Sequence, residues 1–338
     1  YAVDLFDETT IHTLGHRLQR ILTTIATNPN TPIGDIDILD DTERERMAVA
    51  AEPVSVEAPT ATAGTALTQA LAAAVEDDPD GPAVVSGESA LSYQELDARS
   101  SRLARVLIAR GCGPGAGVAV RLDRGVEAVV ATWAVLKSGA AVVPADALDA
   151  LLPHGLEVKT GLTVGGAHPT ATVDWLALDD PAVIAEIAAE SPRPVTYAHR
   201  IRALRGSDPA FAGEQVLSYD DLAAAAGRLR SRTELTFESR TFQHGSPQSP
   251  AGLIEVVAAG SVGASVVLVD VDGALTESLA DEWVTHLVTD RTGLDTLDPT
   301  ALEDLHAVVL DNGVGAVPAG PWTEVAAIVE LTELLGSE

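Results

Sequence analysis

The sequence predicts an α/β fold made of two similar units with mainly parallel sheets. Three observations lead there. Amphipathic stretches at helical spacing alternate with short runs of Val, Leu and Ala, the pattern of strands covered on both faces by helices. A short motif occurs twice, as Ser92-Tyr93-Gln94-Glu95-Leu96 and Ser218-Tyr219-Asp220-Asp221-Leu222. A glycine leading into an apolar run also occurs twice at nearly the same separation, as Gly139-Ala140-Ala141-Val142-Val143 and Gly263-Ala264-Ser265-Val266-Val267. Two copies of one supersecondary order explain both pairs.

At 338 residues the chain is long enough for about two domains and a sizeable core. Hydrophobic residues make up 46% and aromatics only 4%, so Ala, Val and Leu must fill most of that core. Lys+Arg 21 against Asp+Glu 50 gives a net charge of −29, which repels phosphate backbones and anionic lipid. Nucleic-acid and membrane-surface roles are therefore disfavoured. The one cysteine, Cys112, excludes an internal disulfide and a cysteine-rich zinc site. No run reaches the length of a membrane span, and the acidic start shows no signal-peptide pattern. The expectation is a soluble, cytoplasmic protein. Tyr1 is not an initiator, so a piece of a longer chain is expected. Lys137 and Lys159 are the only lysines, so chemistry that needs an amine has two candidates.

Ile11, Leu14, Leu18, Ile21, Leu22 and Ile25 form one helical stripe that Asp7 can cap, and Asn28-Pro29-Asn30 ends it. A short extended stretch from Ile33 to Ile38 follows. Residues 1–47 are read as this helix and tail, and residues 48–64, rich in Ala, Pro and Thr, as a linker. A helix with Leu67, Leu71 and Val75 comes next, then a hairpin over 83–91. Ser92 and Glu95 have capping-box spacing and open a helix with Leu96, Leu103 and Leu107. A strand over 118–122, a helix over 125–137 ended by a left-handed Gly139, and a buried strand over 140–143 complete the order. It restarts at Ser218, with further strands near 284–289, 306–310 and 326–330. The division predicted is 65–215 for the first unit and 216–338 for the second.

Leu91–Leu96 and the run from Leu136 to Asp146 (Leu-Lys-Ser-Gly-Ala-Ala-Val-Val-Pro-Ala-Asp) are similar to the first two core motifs of a nonribosomal peptide synthetase adenylation domain. Tyr1 to Leu39, with Asp4-Leu5-Phe6-Asp7 and Pro32-Ile33-Gly34, resembles a condensation-domain tail and its linker. The resemblance runs over nearly the whole chain and is thinnest between the two repeats. It implies the large N-terminal part of an adenylation domain, with the small C-terminal subdomain and its catalytic lysine lacking a counterpart. In the family such a domain activates an amino acid with ATP and loads it on a carrier protein.

The resemblance also shows where the chemistry should be, and there the residues depart. A triphosphate needs a Gly/Ser/Thr loop whose amides approach closely, with a lysine beside it. The corresponding stretch reads Arg205-Gly206-Ser207-Asp208-Pro209-Ala210-Phe211-Ala212-Gly213-Glu214. It is predicted to be a surface loop, with Asp208 and Glu214 placing negative charge where the phosphates would lie and Phe211 adding bulk. Aligning Glu255 and Gly263 with the family puts Pro250 at the aspartate that holds the substrate ammonium, and proline offers neither charge nor hydrogen bond. The adenine-stacking motif aligns with Val329 to Glu338, where Thr332 and Gly336 remain but no aromatic does. Ser207, Asp208, Phe211, Gly213, Glu214, Pro250, Thr332 and Gly336 are thus degenerate positions of lost sites. No catalytic, cofactor or metal residue is assigned.

Smaller signals carry two readings each. His12 and His16 have metal-pair spacing, but they oppose the apolar stripe, which favours a solvated helix face. His244-Gly245-Ser246 and His199-Arg200 lack a nucleophile elbow or an acid partner and read as loops. Cys112 reads as a small structural residue, and Gly313-Val314-Gly315 as a turn. The sequence reading is a catalytically inactive adenylation domain acting as a spacer or docking platform between condensation and carrier domains, binding no cofactor. Its rivals are an adenylation domain with a rebuilt site and a platform that recruits a partner enzyme in trans.

Overall fold

In the computed structural model, residues 8–27, 63–87, 89–148, 156–165, 172–213, 215–244, 246–268, 275–310 and 327–336 are described. The chain separates into residues 1–60 and 61–338. In the first part, α1 (Glu8–Thr27) forms as predicted, with Leu18, Leu22 and Ile25 exposed. Asp7, the extended stretch over 33–38 and most of the 48–64 linker lie outside the described residues.

In residues 61–338 the helices are α2 (Ala63–Asp77), α3 (Tyr93–Ala109), α4 (Val126–Ser138), α5 (Pro181–Ala189), α6 (Tyr219–Thr233), α7 (Pro250–Val262), α8 (Leu275–Asp281), α9 (Arg291–Leu294) and α10 (Leu331–Leu335). The strands are β1 (Pro82–Ser86), β2 (Ser89–Ser92), β3 (Ala116–Arg121), β4 (Ala141–Pro144), β5 (Glu157–Thr163), β6 (Asp174–Ala177), β7 (Pro209–Ala212), β8 (Val216–Ser218), β9 (Arg240–Gln243), β10 (Ser265–Leu268), β11 (His286–Thr289), β12 (Ala307–Leu310) and β13 (Ala327–Glu330). The expected repeat is present in element order. A hairpin, a helix, a strand, a helix and a strand run from β1 to β4 and again from β7 to β10.

The sheets are mainly parallel, as expected. One runs β13-β12-β11-β9-β10-β1-β2 and the other β6-β5-β3-β4-β7-β8. Each sheet therefore draws strands from both 65–215 and 216–338. The two hairpins are exchanged. β1 lies parallel to β10, with Val84 beside Val266, and β7 lies parallel to β4, with Phe211 beside Val142.

The cause of the exchange can be followed residue by residue. Each hairpin ends at a capping-box serine: Glu95 N–H donates to Ser92 Oγ at 3.2 Å, and Asp221 N–H donates to Ser218 Oγ at 3.1 Å. The next residue is a buried tyrosine that reaches into the other repeat. Tyr93 donates to Ala264 O at 2.6 Å, and Tyr219 donates to Ala140 O at 2.9 Å. Burial pushes both phenols well above the ordinary tyrosine range, so they stay protonated donors. Each tyrosine pins its hairpin to the strand start of the opposite repeat.

Helices α4 and α7 form the interior. Every residue from Ala128 to Ser138 and from Ala251 to Gly260 is buried, the signature of a helix covered all round. They meet where a Cβ on Gly260 would lie 2.4 Å from the Trp133 ring, so only glycine permits the approach. Both end at left-handed glycines, Gly139 at φ 90° and Gly263 at φ 81°.

Candidate functional site

Open α/β sheets bind ligands beyond the carboxyl ends of their strands, where the strand order reverses. In the second sheet β3 connects one way to β4 while β5, on its other side, connects the opposite way to β6, so the reversal lies between β3 and β5. A cleft of about 360 Å³ opens beside it, beyond the ends of β3 and β4, lined by Arg121, Asp123, Asp146, Ser246 and Gln248 among others. Arg121 and Asp123 come from the end of β3, Asp146 from the end of β4, and Ser246 and Gln248 from the loop after β9. That loop is fixed in place: Gln248 Nε2 donates to Leu122 O at 2.8 Å and Arg124 Nη2 donates to His244 O at 2.5 Å.

The sequence-predicted positions spread around this end of the molecule and beyond it. The expected surface loop over 205–214 is corrected by the structure. Residues 209–212 form β7, in which Ala210, Phe211 and Ala212 are buried. Phe211 is core, a result of β7 joining β4. Gly213 closes a tight turn through its N–H to Gln215 O at 3.0 Å, and Glu214 lies outside the described residues. Asp208 does not project charge into a phosphate site either. It is 7% exposed, accepts two bonds from Arg202 at 2.7 and 2.8 Å, and accepts a third from Arg205 N–H at 2.7 Å. These bonds outweigh burial and hold its carboxyl below the usual range. Ser207 shares that turn. Pro250 is the first residue of α7, behind the cap in which Ser249 Oγ accepts from Gly252 N–H at 3.1 Å. Thr332 is exposed on α10, and Gly336 ends that helix at φ 73°. Leu334 O there accepts from Arg228 Nε at 2.6 Å.

Neither lysine lies at the cleft. Lys137 is buried near the end of α4, with Nζ 2.7 Å from Asp97 Oδ1 and 2.7 Å from Ser100 Oγ. Burial lowers its pKa to about 8 against the raising effect of Asp97. Lys159 is exposed and pairs with Glu157 at 2.7 Å. Behind the cleft, Glu255 is buried beside Thr241 and Arg124, and desolvation raises its pKa to about 7. Arg124 also lies over the Phe242 ring at 5.0 Å. Sequence reasoning used Glu255 only as an alignment anchor. Its buried setting could not be read without knowing that α7 is interior.

His244 Nδ1 meets Thr289 Oγ1 at 3.3 Å, and burial together with Arg124 lowers its pKa. His199 caps its own turn at Thr196. Burial raises the Cys112 thiol above its ordinary value, which suits a structural residue. Among the described residues no group of three His, Cys, Asp or Glu could hold a metal, and no helix is long and apolar enough to cross a membrane. The side chains of His12 and His16, and all of 313–315, lie outside the described residues.

The family described as AMP-binding enzyme matches residues 71–157. Novobiocin biosynthesis protein H of Streptomyces niveus is 31% identical over 274 residues, covering 73% of this chain and 44% of that protein. The isonitrile lipopeptide synthase of Mycobacterium tuberculosis is 38% identical over 178 residues, 53% of this chain and 7% of that one. The probable non-canonical nonribosomal peptide synthetase CymA of Salinispora arenicola is 29% identical over 340 residues, 94% of this chain and 4% of that one. The chain thus spans less than half the length of each of these relatives. Among solved structures, the nonribosomal peptide synthetase FmoA3 in its AMPPNP-bound form superposes with a TM-score of 0.65 at 21% identity, over 96% of this chain and 37% of that one. That likeness carries the fold: two mainly parallel sheets arranged as in the N-terminal part of an adenylation domain. Taken with the motifs at Ser92 and Gly139, these matches make the chain adenylation-domain-like, similar to the AMP-binding enzyme family over residues 71–157 and to stretches of nonribosomal peptide synthetases.

Proposed function

We propose that the chain is a catalytically inactive adenylation domain serving as a structural spacer or docking platform between condensation and carrier domains of a cytoplasmic assembly line. The observation that carries this reading is the β7–β8 hairpin. A triphosphate cradle needs free amides and small hydroxyls on a loop. Here the chain is committed to a strand with buried Phe211 and a tight turn at Gly213. The cleft beyond β3 and β4 carries Asp123 and Asp146 against one arginine, Arg121, a balance unsuited to a tetra-anion. Pro250 starts α7 without a charge for a substrate ammonium.

Calorimetric titration with Mg-ATP and amino-acid-dependent pyrophosphate exchange test the reading. No ATP binding tighter than about millimolar, roughly −4 kcal/mol, and exchange at background are expected. Exchange above background would instead support the rival, an adenylation domain with a rebuilt site. The one observation favouring that rival is that a cleft of about 360 Å³ persists at the carboxyl ends of β3 and β4, beside the reversal point.

A further inference from the structure

The opposite end of the first sheet, away from the site above, carries a second and larger cleft. It measures about 450 Å³ and is lined by Arg232, Glu234, Glu238, Thr285, His286 and His306 among others. The loops entering β9, β11 and β12 at their amino ends build its walls. They are tied together: Arg240 N–H donates to Thr285 Oγ1 at 2.9 Å, Arg240 Nη2 bonds Glu282 Oε2 at 2.7 Å, and His306 N–H donates to Thr285 O at 2.8 Å. His286 spans the floor, with Nε2 2.9 Å from Thr233 O and Nδ1 2.7 Å from Thr285 Oγ1. Such a wall is preorganised, which lowers the cost of binding.

Two large aromatic side chains on the same loops are left exposed. Phe237 and Trp283 are 71% and 68% exposed, in a chain where aromatics are only 4% of residues. Phe237 lies in the chain between Thr236 and Glu238, which line the cleft, and Trp283 follows Glu282 in the loop before β11. Glu234 and Glu238 are exposed and make no ion pair among the described residues, whereas the nearby cations are engaged, Arg232 with Glu333 and Arg240 with Glu282. Burial lowers the pKa of His286, keeping that imidazole from offsetting the acids at neutral pH. Two unpaired carboxylates on a cleft whose one arginine is engaged, with exposed aromatics on the same loops, complement a guanidinium, which stacks on aromatics and pairs with carboxylates. Exposed Trp and Phe beside an ordered cleft are also the residue types that anchor protein interfaces.

We propose that this cleft, with Phe237, Trp283, Glu234 and Glu238, is a docking site for an arginine-bearing basic polypeptide segment. The proposal goes beyond the spacer reading and does not require the domain to be inactive. Its test is titration of the whole 338-residue chain with a hexa-arginine peptide, followed by calorimetry and tryptophan fluorescence, with hexa-lysine and hexa-glutamate peptides as comparisons. Saturable binding of hexa-arginine is expected, stronger than that of hexa-lysine and absent with hexa-glutamate. Trp283→Gly and Phe237→Ala should each weaken it by roughly 5- to 30-fold, and the pair Glu234→Gln with Glu238→Gln by a similar factor. Trp283→Phe should restore most of the loss at that position. Asp174→Asn with Glu190→Gln removes the same charge from β6 and the end of α5, at the far edge of the other sheet, and should change affinity by less than about 2-fold. Equal weakening by both carboxylate pairs would reduce the effect to the overall charge of −29 and overturn the proposal. Insensitivity to both aromatic substitutions, or no binding of hexa-arginine, would also overturn it.

Discussion

Helices α4 and α7 hold equivalent places in the two repeats, are both buried, and both end at left-handed glycines, yet they bury charge in opposite ways. Near its end α4 buries Lys137, which meets Asp97, Ser100 and Ser101. In its middle α7 buries Glu255, and one of its carboxylate oxygens has no hydrogen-bond partner. The first charge is kept by pairing. The second responds to burial by a pKa raised to about 7. The repeat therefore specifies packing and turn chemistry, while each copy solves its buried polar groups separately.

The largest test of this contrast is Lys137→Met. It leaves Asp97 facing a low-polarity interior, and breaking a buried pair costs about 3–5 kcal/mol. Urea unfolding should show that loss, and Lys137→Met combined with Asp97→Leu should recover much of it. A double variant as unstable as the single one would mean that Lys137 acts through packing rather than pairing.

Glu255 makes a pH-dependent prediction of roughly 1–3 kcal/mol. Its folded pKa of about 7 lies above the ordinary glutamate value, so the protonated form is favoured in the fold. Its stabilising contribution is complete below the unfolded value and is lost as pH rises through the folded one. Denaturant midpoints between those two pH values should fall for the wild type, and Glu255→Gln should flatten that slope. An unchanged slope in the variant would assign the dependence to another group.

The exchanged tyrosines offer a smaller and symmetric test. Tyr93→Phe and Tyr219→Phe each remove a buried donor to a carbonyl of the other repeat, worth about 0.5–1.5 kcal/mol. Similar losses are expected from the two. A loss from one alone would show that only one hairpin needs its clasp. The smallest effect belongs to the exposed Arg232–Glu333 pair. Arg232→Ala should change thermal stability by no more than about 1 kcal/mol and less at high salt.

Much of the local structure was legible in the residues. The capping boxes at Ser92 and Ser218, the left-handed glycines at 139 and 263, and the apolar runs after them give signals within a few residues of where they act. They were enough to show the repeat and to align it with a family. The stretch around Asp208 and Phe211 was not legible in the same way. Its short run Pro209–Ala212 reads as a loop because β4, the parallel partner that buries it, is distant in sequence, and Asp208 looks like a free charge until Arg202 folds over it.

The sequence by itself determined the element order and the two-unit repeat, because helix caps and turn glycines are local properties. Tertiary structure alone decided that the hairpins exchange sheets, that Phe211 is core, and that the amino-end loops of β9, β11 and β12 enclose a cleft. The physical reason is range. Tyr93 meets Ala264 across 171 positions, and no local propensity encodes a contact made that far along the chain.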